Sequence, residues 1–373
     1  MNRDDGIESA ARRRLSKGRA AAALLAAAAL TAFALEAWTR FRVQRGFEAV
    51  ATLSIKRLPM AALAPGSPLV HRLSPGTRGF MDGPATNVVP KYFGPVTYTV
   101  NEDGFRGRPV AIPKPAGTRR VLFLGDSFTF GWGVNDDETF CVRLETLLND
   151  SKTDAAVWEC VNLGASGYNT IQERILFEES VDRFNPDVVA LVYYRNDTEP
   201  NLDSKSNPAL QYRHARFWLW EEAKIRLNNR LGRDFFEVRK LIYTNPLESF
   251  RRRGVKWRES KAAHAGIARG CRERGIPFLT VIQPAFDINQ PFDPGFPYRP
   301  IHEEVARWCR EQNAHCVDLL DHFEPDDNVR LGIRGDGHTN ADGHREIARI
   351  LEPVIRELGI PRRSEPPKPP PSL

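Results

Sequence analysis

Five short, largely apolar runs recur behind residue 119, and their spacing constrains the fold more than any other feature of the chain. They are Val121–Leu124, Val157–Leu163, Val188–Tyr194, Phe278–Ile282 and Cys316–Leu320. Amphipathic stretches with helical spacing fall between and after them, at 139–149, 170–184, 258–273, 298–313 and 341–357. Runs with little polar alternation read as strands buried on both faces. Strands alternating with helices imply a parallel sheet covered on both sides. The expectation is an α/β fold over residues 116–360, a flavodoxin-like three-layer α/β/α sandwich with a mostly parallel five-stranded sheet.

The front of the chain has a different character. Residues 20–35 read AAAALLAAAALTAFAL, without a charge, behind a cluster of Arg12, Arg13, Arg14, Lys17 and Arg19. A bilayer span needs roughly 17–25 residues, so the run must extend toward Trp38 to cross. The heavier basic flank lies on the amino side, which by the positive-inside rule keeps that side in the cytoplasm. Residues 1–19 are thus expected to be a cytoplasmic basic tail and 20–40 a transmembrane signal anchor, with the rest facing the periplasm. Ala32-Phe33-Ala34 also fits a signal-peptidase site, so anchor and cleaved signal both stand. Residues 41–115, rich in Pro and Gly, read as a stalk or small β-rich lead-in. Residues 198–256 interrupt the strand–helix rhythm as a helical insertion, and 361–373 form a Pro-rich tail without packing residues.

Composition removes several function classes. The net charge is +6, but its basic residues are scattered and form no nucleic-acid-reading motif, so no nucleic acid is expected as partner. The five cysteines include no C-x-x-C pair, and no metal or cofactor motif occurs.

Four polar blocks remain, each at the end of a strand. Gly125-Asp126-Ser127 follows the first and Asn162-Leu163-Gly164-Ala165 the second. Tyr194-Arg195-Asn196-Asp197 closes the third, and Asp336-Gly337-His338-Thr339-Asn340 lies after the fifth, ahead of the last helix. Carboxyl ends of parallel strands share one rim, where open α/β sheets bind ligands. A serine hydroxyl becomes a nucleophile only beside a base, and an imidazole at the same rim supplies one. His338 and His344 both follow an aspartate by two residues. Asn340 reads as a helix N-cap, which leaves His338 on the loop and puts His344 on the apolar stripe of the helix with Ile347, Ala348 and Leu351.

The order of these blocks resembles the SGNH (GDSL-type) hydrolase family over residues 119–357, and Asn101–Arg106 is similar to the lead-in of its membrane-anchored bacterial members. The resemblance implies Ser127 as nucleophile, His338 as general base and Asp336 as its orienting acid. It implies an oxyanion hole from the N–H groups of Ser127 and Gly164 and the side chain of Asn196. Two positions depart from the family pattern: Asp336 and His338 are two residues apart where three is usual, and Tyr194 stands where glycine is common. The implied function is a serine esterase or O-acyltransferase acting on an ester-bearing glycan, lipid or peptidoglycan component, without metal or cofactor. A non-catalytic, membrane-tethered subunit for a surface polymer is the alternative.

Overall fold

The computed structural model describes residues 60–62, 69, 71–81, 94–151, 155–198, 255–286, 291–333 and 336–359, together with helical residues between 19 and 41. The helical insertion and the Pro-rich tail read from sequence lie outside the described residues, apart from the edges of the insertion. Two compact units emerge, one of Met1–Ser54 with Asn207–Glu237, the other of Ile55–Ser206 with Val238–Leu373. In the first unit, residues 24–38 are helical and Arg40 pairs with Glu36 at 2.8 Å. Among the described residues, no helix is long and apolar enough to cross a membrane.

The second unit begins with two antiparallel pairs, β1 (Met60–Ala62) with β2 (His71–Leu73) and β3 (Thr77–Met81) with β4 (Val96–Val100). Its sheet consists of β5 (Thr118–Gly125), β6 (Val157–Asn162), β7 (Val188–Tyr193), β8 (Phe278–Ile282) and β9 (His315–Asp318). The spatial order is β6-β5-β7-β8-β9 and every pairing is parallel, the strand order of a flavodoxin-like sheet. All six residues of β7 are buried, which requires cover on both faces. That cover comes from α2 (Phe140–Asp150) packed with α7 (Ala341–Gly359), and from α4 (Val255–Glu273) packed with both α3 (Thr170–Phe184) and α5 (Arg299–Gln312); four-residue turns of helix, α1 (Ser127–Phe130) and α6 (Asp327–Arg330), follow β5 and precede α7.

Local polar chemistry sets the ends of these elements. Strand β7 stops one residue earlier than the apolar run, because the Tyr194 N–H turns to the Asp197 carboxylate at 2.6 Å and opens a 3-10 turn. Strand β9 stops at Asp318, whose side chain accepts from the Leu320 N–H at 3.0 Å and draws Leu319 out of the sheet. Helix α3 starts on a capping box between Asn169 and Gln172.

The described end of the lead-in segment packs into this body. Phe105 and Val110 belong to the same core as the sheet, and Val96, Tyr98 and Val100 bury a second cluster against Phe130. All five cysteines are free thiols.

Candidate active site

Strand β5 delivers Gly125-Asp126-Ser127 at its carboxyl end. Asp126 caps α1 by accepting from the Phe128 N–H at 2.9 Å, so the cap is the aspartate and Ser127 is left as the first helical residue. A first-turn N–H has no acceptor within its helix. The Ser127 hydroxyl lies 2.8 Å from His338 Nε2. On the far side of the ring, His338 Nδ1 meets Asp336 Oδ1.

The short Asp-x-His spacing works because of Gly337. Residues two apart diverge by about 200° in a helix and stand parallel, roughly 6.6 Å apart, on one face of a strand, but Gly337 has φ +88, a left-handed bend that turns Asp336 and His338 toward one another. The bend is tied down by the Phe286 N–H on Gly337 O at 3.1 Å and the Ile333 N–H on His338 O at 2.7 Å. The second oxygen of Asp336 accepts from Trp132 Nε1 at 3.2 Å. The imidazole also sits between aromatic rings, with centroids 4.7 Å from Phe128 and 5.8 Å from Trp132.

Asn196 stands on the 3-10 turn after β7. Its Nδ2 donates to Asp126 Oδ2 at 2.8 Å, which fixes the orientation of the amide and leaves its second N–H unclaimed by that bond. Burial pushes the Asp126 carboxyl up, against the opposing pull of the Phe128 N–H, the nearby His338 and the Asn196 amide.

Gly164 is placed beside the nucleophile turn, but its N–H donates to Asn162 Oδ1 at 2.9 Å. Its glycine character has a steric cause. A Cβ there would lie 2.2 Å from the Phe130 nitrogen and 2.6 Å from the Thr129 carbonyl carbon, so only glycine lets the β6 loop pass this close to α1.

His344 is elsewhere. It is buried, stacks on Phe140 at 5.8 Å between centroids, and accepts the Phe140 N–H on Nδ1 at 3.2 Å. Burial, with Arg106 and His338 adding, lowers its pKa to about 3, so it is a neutral structural acceptor.

Two contributors escaped the sequence reading. One is the carboxylate partnership of Asp126 with Asn196. The other is Arg106, wholly buried, whose Nη1 donates to the carbonyls of Phe130 (2.5 Å) and Gly131 (2.6 Å) and whose Nη2 donates to Val134 (2.7 Å). Its Nε completes the set on Asp136 at 3.0 Å. One guanidinium thereby binds the turn that follows the serine. The available signal was the lead-in motif itself, Asn101–Arg106.

Residues 123–346 match the family described as GDSL-like Lipase/Acylhydrolase. The chain belongs to that family. Structures similar to this GDSL-type chain include TesA, 13% identical with TM-score 0.40, covering 64% of this chain and 99% of that one. A G-D-S-L family protein from Desulfitobacterium hafniense is 15% identical with TM-score 0.38, covering 64% and 99%. A catalytic mutant of Axe2, an acetylxylan esterase from Geobacillus stearothermophilus, is 18% identical with TM-score 0.39, covering 66% and 97%. No curated protein matches the chain.

Proposed function

We propose that this GDSL-family chain is a serine esterase or O-acyltransferase of the cell envelope. The observation that supports this most is the 2.8 Å contact of Ser127 Oγ with His338 Nε2, in line with Asp336 behind the ring. Ser127 Oγ bonds to the ester carbonyl carbon while His338 Nε2 takes the hydroxyl proton. Asp336 steadies the imidazolium, and Trp132 steadies Asp336. The carbonyl oxygen, now negative, is received by the Ser127 N–H and the free N–H of the Asn196 amide; Gly164 joins them when its N–H exchanges Asn162 for the oxyanion. Each such donor is typically worth about 10²–10³ in rate. The proton passes from His338 to the departing alkoxide, leaving an acyl-serine. Water or an acceptor alcohol then takes the acyl group by the reverse sequence, so hydrolysis and transfer differ only in the acceptor. The basic cluster before residue 20 and the apolar run after it support export with an anchor at the front.

A fluorophosphonate probe tests both halves. The intact chain is expected to take the label, and Ser127→Ala to lose it together with ester turnover. A folded wild-type chain that neither labels nor turns over esters would point instead to a tethered binding subunit. In cells, a probe variant that cannot cross the inner membrane should reach Ser127; labelling only after lysis refutes the outward placement. Adding a glycan alcohol to the turnover assay then divides transfer from hydrolysis by product.

A further inference from the structure

Below the rim lies a group of buried acids that the ester chemistry does not use. Asp126, Asp197 and Glu173 are each essentially inaccessible to solvent, from the end of β5, the turn after β7, and the first turns of α3. Asp197 is well supplied with donors. It accepts from the Tyr194 N–H at 2.6 Å and from Thr170 Oγ1 at 2.9 Å. Thr170 is in turn 3.0 Å from Ser260, and Ser260 is 3.0 Å from the Tyr193 hydroxyl. Because Thr170 gives its proton to Asp197, it accepts from Ser260, which accepts from Tyr193. Three hydroxyls therefore point one after another toward this carboxyl.

Glu173 has the opposite situation. Neither of its oxygens has an N–H or O–H partner among the described residues. The groups that face it are the Asp197 carboxyl, within hydrogen-bonding reach, the Asp126 carboxyl, and across Asp197 the neutral phenol of Tyr193. The charges that act on it are negative. An ionised glutamate in this position would be an uncompensated buried charge, which is strongly unfavourable. Two carboxyl groups can make a hydrogen bond only when one of them carries a proton. Since the other donors already converge on Asp197, the proton belongs on Glu173.

We propose that Glu173 is a positioning residue for the oxyanion donor: as a neutral acid it donates to Asp197, and that bond fixes the 3-10 turn on which Asn196 stands. Asp197 holds the turn from below through the Tyr194 N–H, and Asn196, its neighbour, reaches Asp126 beside Ser127. The chain of contacts runs from α3 to the rim through Glu173, Asp197, Asn196 and Asp126. Burial and the neighbouring carboxyls push Glu173 far above the ordinary range, and burial and Asp126 push Asp197 up to about 8. The pair thus keeps at least one proton through neutral pH.

This proposal rests on the esterase reading for its effect on rate, but not for its proton. Glu173→Gln keeps a neutral donor at the same place, and Glu173→Leu keeps volume without one. The native wild type holds a proton that the unfolded chain releases above its carboxyl range. Between about pH 5 and 7 its unfolding constant should therefore rise about tenfold more per pH unit than that of Glu173→Gln. Glu173→Gln should retain kcat within about threefold, whereas Glu173→Leu should lose about 10–100-fold in kcat with a smaller change in KM, the pattern of a displaced transition-state donor. Equal pH slopes for wild type and Glu173→Gln overturn the proposal, as does a folded Glu173→Leu with wild-type kcat. The slope comparison needs no turnover, so it decides the proton even where Ser127→Ala fails to abolish activity and the esterase reading falls.

Discussion

The tripeptide Asp-Gly-His occurs at 336–338 and again at 342–344, and the two copies have opposite fates. In the first, the left-handed Gly337 folds the backbone so that carboxylate and imidazole meet, and the ring faces Ser127. In the second, the same three residues lie in the first turn of α7, capped by Asn340 Oδ1 on the Gly343 N–H at 2.9 Å. Two helical residues apart is about 200° around the axis, so the side chains diverge. Asp342 points to solvent and pairs with Arg345, while His344 enters the core. Chemistry here is decided by one backbone bend rather than by residue type.

The largest expected effect breaks the equivalence outright. His338→Ala should lower ester turnover by about 10⁴ or more while leaving the melting temperature near wild type. His344→Ala should keep most turnover in the folded fraction but lose about 1–3 kcal/mol of stability through its buried cavity and the orphaned Phe140 N–H. If the stable but inactive protein is the His344 variant, the roles are exchanged.

Acid pH separates the pair by a second route, of a few kcal/mol. The unfolded chain takes up a proton on His344 near the ordinary imidazole range, whereas the folded one resists to about pH 3. The native state binds fewer protons across that window, so its stability is full above it and is lost as pH falls through it. Denaturant midpoints at neutral and acid pH should converge in His344→Gln relative to wild type, and an unchanged difference would show that His344 does not carry this titration.

The smallest effects sit at the two glycines. Gly337→Ala has room, its Cβ lying 3.6 Å from Phe286 O, but a φ of +88 is disfavoured for alanine by about 1–2 kcal/mol and relaxing it parts Asp336 from His338. Gly343→Ala has an ordinary φ but puts a Cβ 2.3 Å from Thr339 Cγ2 and 2.5 Å from Leu331 O, an overpacking of about 1–3 kcal/mol. Turnover should fall more in the first and the melting temperature more in the second. Parallel losses in both variants would mean the bend has no catalytic part.

Much of this was legible in the sequence because it follows from period and punctuation. Apolar runs marked the five strands, and Asn340 marked the start of α7 and so divided the two histidines. Phe278–Ile282 and residues 170–184 match their observed elements at both ends. What escaped depends on long-range polar partners. The ends of β7 and β9 are set by Asp197 and Asp318 turning back on the backbone, which apolar periodicity does not register. The family resemblance implies the N–H of Gly164 as an oxyanion donor, while its bond to Asn162 and the close pass of α1 appear only once β5 and β6 are side by side. Glu173, in the first turn of an amphipathic helix, looks like a solvent-facing acid until Asp197 is brought against it.

Arg106 separates two boundaries that are easily taken as one. The family match starts at residue 123, seventeen positions after this arginine. Yet its guanidinium satisfies three carbonyls of the turn behind Ser127 and lies against the Phe130 ring at 4.7 Å. A chain trimmed to the family span would keep every residue of the proposed chemistry and lose the clamp that shapes it, leaving those carbonyls facing a void. The stretch that matches the family is therefore shorter than the body that packs around the site, and the difference includes a loop after β4 that contributes no reacting atom.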